Sequence, residues 1–151
     1  MNHLLIILFY PSYFFYKLKY KIFNLRFNGY LIRISGDGDI SVGKNSYISF
    51  YSCLYLTRGT ELKIGSSVSI AHNVKIYTNT FDAKVLVQTG EKLERKGSVY
   101  IGDNVLIGTN SFVLPGITIC NDVVIGANSV VSRDISVPGI YAGNPLRRLH
   151  D

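Results

Sequence analysis

The stretch IGDNVLIGTNSFVLPGITICNDVVIGANSVVSRDIS, residues 101–136, repeats itself every six residues. Ile101, Ile107, Val113, Ile119, Ile125 and Val131 lead successive hexads without a slip. Four positions after each stand Val105, Ser111, Ile117, Val123, Ser129 and Ile135, all small or aliphatic. Gly102, Gly108 and Gly126 directly follow three of the leading residues. A period of six is neither the 3.6 of a helix nor the alternation of an ordinary strand. It suits a chain that makes a short strand, turns a corner and repeats. Three such strands close a triangular coil of about 18 residues. The leading residue points into the shaft, and so does the residue four places on, close to a corner. Glycine or asparagine at the remaining places tolerates the bent backbone. Coils stack at the strand spacing of about 4.8 Å, and no coil buries its own face alone.

Upstream, the phase continues through Ile64, Ile70 and Ile76, with Val68 and Val74 four places on. A weaker set is Val42, Ile48 and Leu54, with Ser46 and Ser52. The phase breaks twice. Leu54 to Ile64 is ten residues, a small insertion, and Ile76 to Ile101 is 25. An excursion over Asp82–Ser98 therefore leaves the shaft, carrying Glu91, Lys92, Glu94, Arg95 and Lys96. Long loops on rigid scaffolds tend to carry function. The expected fold is all-β: a parallel β-helix over 34–151, one protruding loop (82–98), and an N-terminal, mostly helical segment over 1–33.

The 151 residues are 47% apolar, 13% aromatic and only 17% charged, which excludes a disordered chain. Two cysteines exclude a disulfide framework or a four-cysteine zinc site, and imply a reducing, cytoplasmic compartment. Cys53 and Cys120 read as packing residues. Of the net charge of +6, five units fall in residues 1–33 as Lys17, Lys19, Lys21, Arg26 and Arg33, without a carboxylate. The rest is nearly balanced, unlike a nucleic-acid binder. The apolar run at the N-terminus is interrupted by Pro11 and is shorter than the roughly 20 residues of a membrane span. Its positive charge follows the run instead of preceding it, unlike a secretory signal. Residues 1–28 have two compatible readings: a lid over one open end of the shaft, and a basic, aromatic segment lying on an anionic membrane surface.

The hexads resemble the left-handed parallel β-helix of hexapeptide-repeat acyltransferases. The ending Ser136-Val137-Pro138-Gly139-Ile140-Tyr141-Ala142-Gly143-Asn144-Pro145 is similar to that family's exit from the last coil. The resemblance covers about residues 34–149 and implies acyl transfer from acetyl-CoA, in trimers with active sites between neighbouring shafts. The segment Ile64–His72 is similar in phase to the serine acetyltransferase segment in which a histidine is the general base, and the match falls on His72. The sugar-acetylating branch places its histidine after a run like Ile76-Tyr77-Thr78-Asn79-Thr80, where this chain has Phe81. The aspartate partner and second histidine of serine acetyltransferases correspond to Thr57 and to Arg95 and Lys96. A serine acceptor is therefore disfavoured against a sugar hydroxyl of a polysaccharide or lipid-linked precursor.

Acetyl transfer from a thioester to a hydroxyl needs the hydroxyl proton removed, and imidazole, with an ordinary pKa of about 6.5, suits that task. Of three histidines, His3 lies in the apolar start and His150 at the end. Only His72 falls within the repeat, two places after a leading residue, where side chains face outward. Asp82 and Glu61 are candidates to orient it, alongside a backbone carbonyl. Corner N–H groups are candidate oxyanion donors. For coenzyme A, the resemblance implies contacts at Gly108, Thr109, Asn110 and Ala127, with Arg147 and Arg148 near its phosphates. One shaft histidine gives no metal site within a chain. The rivals are acetylation of serine or another small metabolite, and a non-catalytic β-helix that binds a partner.

Overall fold

A computed structural model describes residues 2–149. Its elements are α1 (Asn2–Tyr20), β1 (Arg26–Phe27), β2 (Arg33–Gly36), β3 (Asp39–Val42), β4 (Tyr47–Ile48), β5 (Cys53–Leu56), β6 (Glu61–Ile64), β7 (Ser69–Ile70), β8 (Lys75–Tyr77), β9 (Asn79–Phe81), α2 (Ala83–Thr89), β10 (Glu94–Lys96), β11 (Val99–Ile101), β12 (Leu106–Ile107), β13 (Phe112–Val113), β14 (Thr118–Ile119), β15 (Val123–Ile125), β16 (Val130–Val131), β17 (Gly139–Ala142) and β18 (Arg147–Arg148).

The strands form three parallel faces, visited in rotation. One face runs β1-β4-β7-β12-β15-β17, a second β2-β5-β8-β13-β16, a third β3-β6-β11-β14. Partners such as Tyr100 and Thr118 are 18 residues apart, the length of one coil. The same step is 22 residues from Asp39 to Glu61 and 37 from Leu62 to Val99, so the two phase breaks are one small and one large insertion. Pairing begins before the expected boundary at residue 34. β1 already pairs with β4, Arg26 opposite Tyr47, and β2 starts at Arg33. Phe27, Ile34 and Val42 stand opposite the leaders Ile48, Leu54 and Ile64 but are spaced seven and eight residues apart, which hides the period of six there.

Every hexad leader from Ile48 to Val131 is buried, and Val42 partly so. The inward serines at corners are satisfied. Ser46 Oγ donates to Gly65 O at 2.8 Å and Ser52 Oγ to Ala71 O at 2.9 Å. Each also accepts from a backbone N–H, of Val68 and Val74. Small hydroxyls thus close corners that a larger side chain would split. The third residue after a leader takes the left-handed conformation: Asn45, Ser67, Asn73, Asn104, Asn110, Asp122 and Asn128 all have φ between 55° and 61°. Asparagine and aspartate tolerate that region better than most side chains, which explains their recurrence there.

The N-terminal end of the shaft is covered by α1. Phe9, Tyr13, Tyr16 and Tyr20 form its inward stripe. The Tyr13 ring stacks on Phe27 with centroids 4.6 Å apart, and its hydroxyl donates to Gly29 O. Burial pushes the Tyr13 phenol above its ordinary pKa. Tyr20 Oη donates to Gly36 O at 2.9 Å. Among the described residues no helix is long and apolar enough to cross a membrane.

The expected loop carries structure of its own. β9 and β10 form an antiparallel hairpin arm, Phe81 opposite Glu94 and Asn79 opposite Lys96. The Asn79 amide, with Lys96 beside it, holds the Glu94 carboxyl below its ordinary value. α2 fills the tip, closed by Gly90 at φ 75°.

Candidate functional site

His72 lies exposed at the corner after β7. Stacking aligns that corner with others distant in sequence. Tyr47 sits over Ser69, Ser69 over Leu106, and Leu106 over Val124. Three residues on, the same register puts Phe50, His72, Thr109 and Ala127 in one outward column. Backbone bonds stitch it: Asn73 N–H to Phe50 O at 2.7 Å, Asn110 N–H to His72 O and Asn128 N–H to Thr109 O, both at 2.9 Å. Beside the column, Asn73, Asn110 and Asn128 join amide to amide at 2.9 and 2.7 Å.

The His72 ring stacks face to face on Phe50, with centroids 4.9 Å apart and planes 3° from parallel. Phe50 is braced in turn by Tyr30, edge-on at 4.9 Å. One face of the imidazole is thus fixed by an aromatic ring, while its nitrogens have no partner among the described residues.

The three corners of the prism differ in how they treat their N–H groups. After β6 and β11, Ser66 N–H donates to Asp103 Oδ1 at 2.6 Å and Asp103 N–H to Asn121 Oδ1 at 2.8 Å. After β13 the matching residue is Pro115, which has no N–H. In the His72 column the N–H groups of His72, Thr109 and Ala127 find no acceptor among the described residues. A column of outward donors beside an imidazole can hold the carbonyls of an extended amide chain or a developing oxyanion. This signal was available in the sequence at the second residue after each leader. One column reads Ser66-Asp103-Asn121, which caps itself; the other reads His72-Thr109-Ala127, which does not. The inward positions alone do not carry it.

Gly108, Thr109, Asn110 and Ala127 gather on the His72 edge. Gly108 is buried there, and a Cβ on it would lie 2.6 Å from Ala127 N. Asp82 is placed elsewhere. Its carboxylate caps α2, accepting from Lys84 N–H at 2.9 Å and Val85 N–H at 3.2 Å. Within the chain it does not meet His72. The residue is a helix cap because Asp82 precedes a helix-forming run that ends at Gly90, a local pattern independent of the six-residue period. Glu61, the other candidate, accepts from Ser41 Oγ on a different face of the prism. Arg147 and Arg148 are exposed on β18, which turns back antiparallel to β17, and Arg148 donates to Pro138 O at 3.0 Å. His150 lies outside the described residues, and of the His3 side chain nothing is described. Cys53 and Cys120 are free and half-buried. No group of three metal-binding side chains occurs among the described residues.

Two clefts of the single chain lie away from His72. One of about 590 Å³ opens beside Lys19, Asp37 and Ile40, and one of about 370 Å³ between Arg95, Pro115 and Arg133.

A triangular shaft of stacked hexads defines a class, and comparison with known proteins agrees. The family described as "Bacterial transferase hexapeptide (six repeats)" matches residues 98–133. The galactoside O-acetyltransferase of Escherichia coli strain K12 is 31% identical over 125 residues, covering 80% of this chain and 58% of that relative. The solved structure of a maltose O-acetyltransferase from Clostridium difficile 630 superposes with a TM-score of 0.68 at 32% identity, covering 90% of this chain and 73% of that one. AntD, an N-acyltransferase from Bacillus cereus solved with dTDP and 3-hydroxybutyryl-CoA, gives 0.72 at 25% identity, covering 83% and 68%. The chain belongs to the hexapeptide-repeat acetyltransferase family. It spans a little over half the length of the galactoside enzyme.

Proposed function

We propose that this chain is an acetyl-CoA-dependent O-acetyltransferase, a left-handed β-helix working as a homotrimer, whose acceptor is a sugar hydroxyl on a polysaccharide or lipid-linked precursor. The observation that carries the reading is the His72 column: an exposed imidazole in line with unpaired backbone donors on the coils above it. The sugar substrates in the names of the relatives support the acceptor class. The missing counterparts at Thr57, Arg95 and Lys96 speak against serine.

In this reading His72 takes the proton from the acceptor hydroxyl as its oxygen attacks the thioester carbonyl. The carbon–sulfur bond then breaks and the thiolate leaves, taking a proton from the imidazolium. Phe50 keeps the ring plane fixed. Thr109 and Ala127 N–H groups hold the pantetheine amides along the edge, with Gly108 and Asn110 shaping the groove. Arg147 and Arg148 face the nucleotide phosphates. A neighbouring shaft closes the groove, since one chain leaves His72 open. With Asp82 committed to α2, an acceptor for the second imidazole nitrogen comes from the neighbouring subunit or from a backbone carbonyl. The protein works in the cytoplasm, where acetyl-CoA is made.

The test is thiol release from acetyl-CoA with serine, free sugars and oligosaccharides offered in turn. Turnover with a saccharide only is expected, and His72→Ala is expected to lose about 10²–10⁴-fold in kcat while still binding CoA. Turnover with serine alone would replace the acceptor. A His72→Ala variant as active as the parent would remove the base.

A further inference from the structure

The outward face of α1 is as apolar as its inward one. Ile7, Leu8, Phe14, Phe15 and Leu18 are between 57% and 71% exposed, and Tyr10 and Pro11 are exposed with them. Their spacing puts Ile7, Leu8, Pro11, Phe14, Phe15 and Leu18 on one side of the helix, opposite Phe9, Tyr13, Tyr16 and Tyr20. A helix apolar all round is stable only when both faces are covered. The shaft covers one. At about 100° per residue, Lys17 falls on one border of the uncovered face and Lys19 on the other, where Lys19 is tied back to the shaft, donating to Gly36 O at 3.1 Å beside the Asp37 carboxylate. Lys21 and Arg26 follow at the same end, and residues 1–33 contain no carboxylate.

We propose that this face lies on an anionic lipid surface, with the aromatic and aliphatic side chains at the headgroup boundary and Lys17 and Lys21 reaching to lipid phosphates. Charge decides the occupant. A second copy of the helix would bring like-charged borders together, whereas an anionic bilayer meets both the apolar face and its cationic rim. The inference is independent of acetyl transfer. It predicts an enzyme held with one shaft end against the membrane.

The full chain should sediment with vesicles of phosphatidylcholine containing phosphatidylserine, and much less with phosphatidylcholine alone. The variant Phe14→Ser/Phe15→Ser/Leu18→Ser changes only exposed side chains. It should keep its circular dichroism and elution volume and lose vesicle affinity by about tenfold or more. Lys17→Gln/Lys21→Gln should lose about tenfold, as should raising the salt. The proposal is overturned by a parent that binds neither vesicle, or by a triple variant that binds as the parent does. It is equally overturned if the triple substitution changes the oligomeric state and leaves vesicle binding intact, which would make the face a contact between copies.

Discussion

Single atoms decide how closely the coils approach one another at the His72 edge. Gly108 is glycine because the backbone of the next coil occupies the place of a Cβ, with Ala127 N at 2.6 Å and Ile125 O at 2.7 Å. Gly59, at φ 82°, has open space around its missing side chain. Gly108→Ala is therefore expected to cost about 1–3 kcal/mol by overpacking, and to widen the coil spacing beneath Ala127. Gly59→Ala should cost only the strain of its left-handed backbone, about 1 kcal/mol. Thermal melts of the two variants check the order. A Gly108 variant as stable as the Gly59 variant would mean that the coils have room to spare there. The inward residues of the repeat were legible because their chemistry is uniform. The donors of Thr109 and Ala127 are marked only by an omission, the lack of an Asp or Asn at the second place after a leader, and so are legible only when one outward column is set beside another.

At the scale of elements, the excursion separates two jobs. Its hairpin arm and α2 make a small built unit, and Asp82 belongs to that unit. Asp82→Ala removes two N-cap hydrogen bonds, which should loosen α2 by about 1 kcal/mol and hasten proteolytic cleavage between Ala83 and Leu93. If the carboxylate is only a cap, turnover changes by less than about threefold and Asp82→Asn, which also caps, restores protease resistance. A large loss of kcat with an altered pH profile would return Asp82 to the site, reached from a neighbouring chain. The hexads announced where the excursion leaves and returns, but not its helix. Seven residues capped by Asp82 and Gly90 are too short for periodicity to register, and only the capping pair marks them. Similarly, β1 and β2 carry little of the six-residue phase, so the early coil was visible only once its partners β4 and β5 were in place.

The whole molecule is a stack in which each coil is held by its neighbours. Its largest inward side chains, among them Ile70, Ile107 and Ile125, are fully buried in the mid-shaft. Ile107→Ala should destabilise by about 2–5 kcal/mol, because the flanking coils are pinned by their own ladders and collapse poorly into the void. Chemical denaturation measures the loss. A cost below about 1 kcal/mol would show a shaft able to slide shut.

The 37-residue step between Leu62 and Val99 carries a consequence for diversification. His72 and Thr109 are neighbours because their coils touch, whatever length of chain runs between them. The excursion can therefore be exchanged, lengthened or trimmed like an interchangeable attachment, leaving the donor edge undisturbed. On the proposed function, a lineage built on this scaffold could vary what the excursion meets without relearning how to hold the thioester.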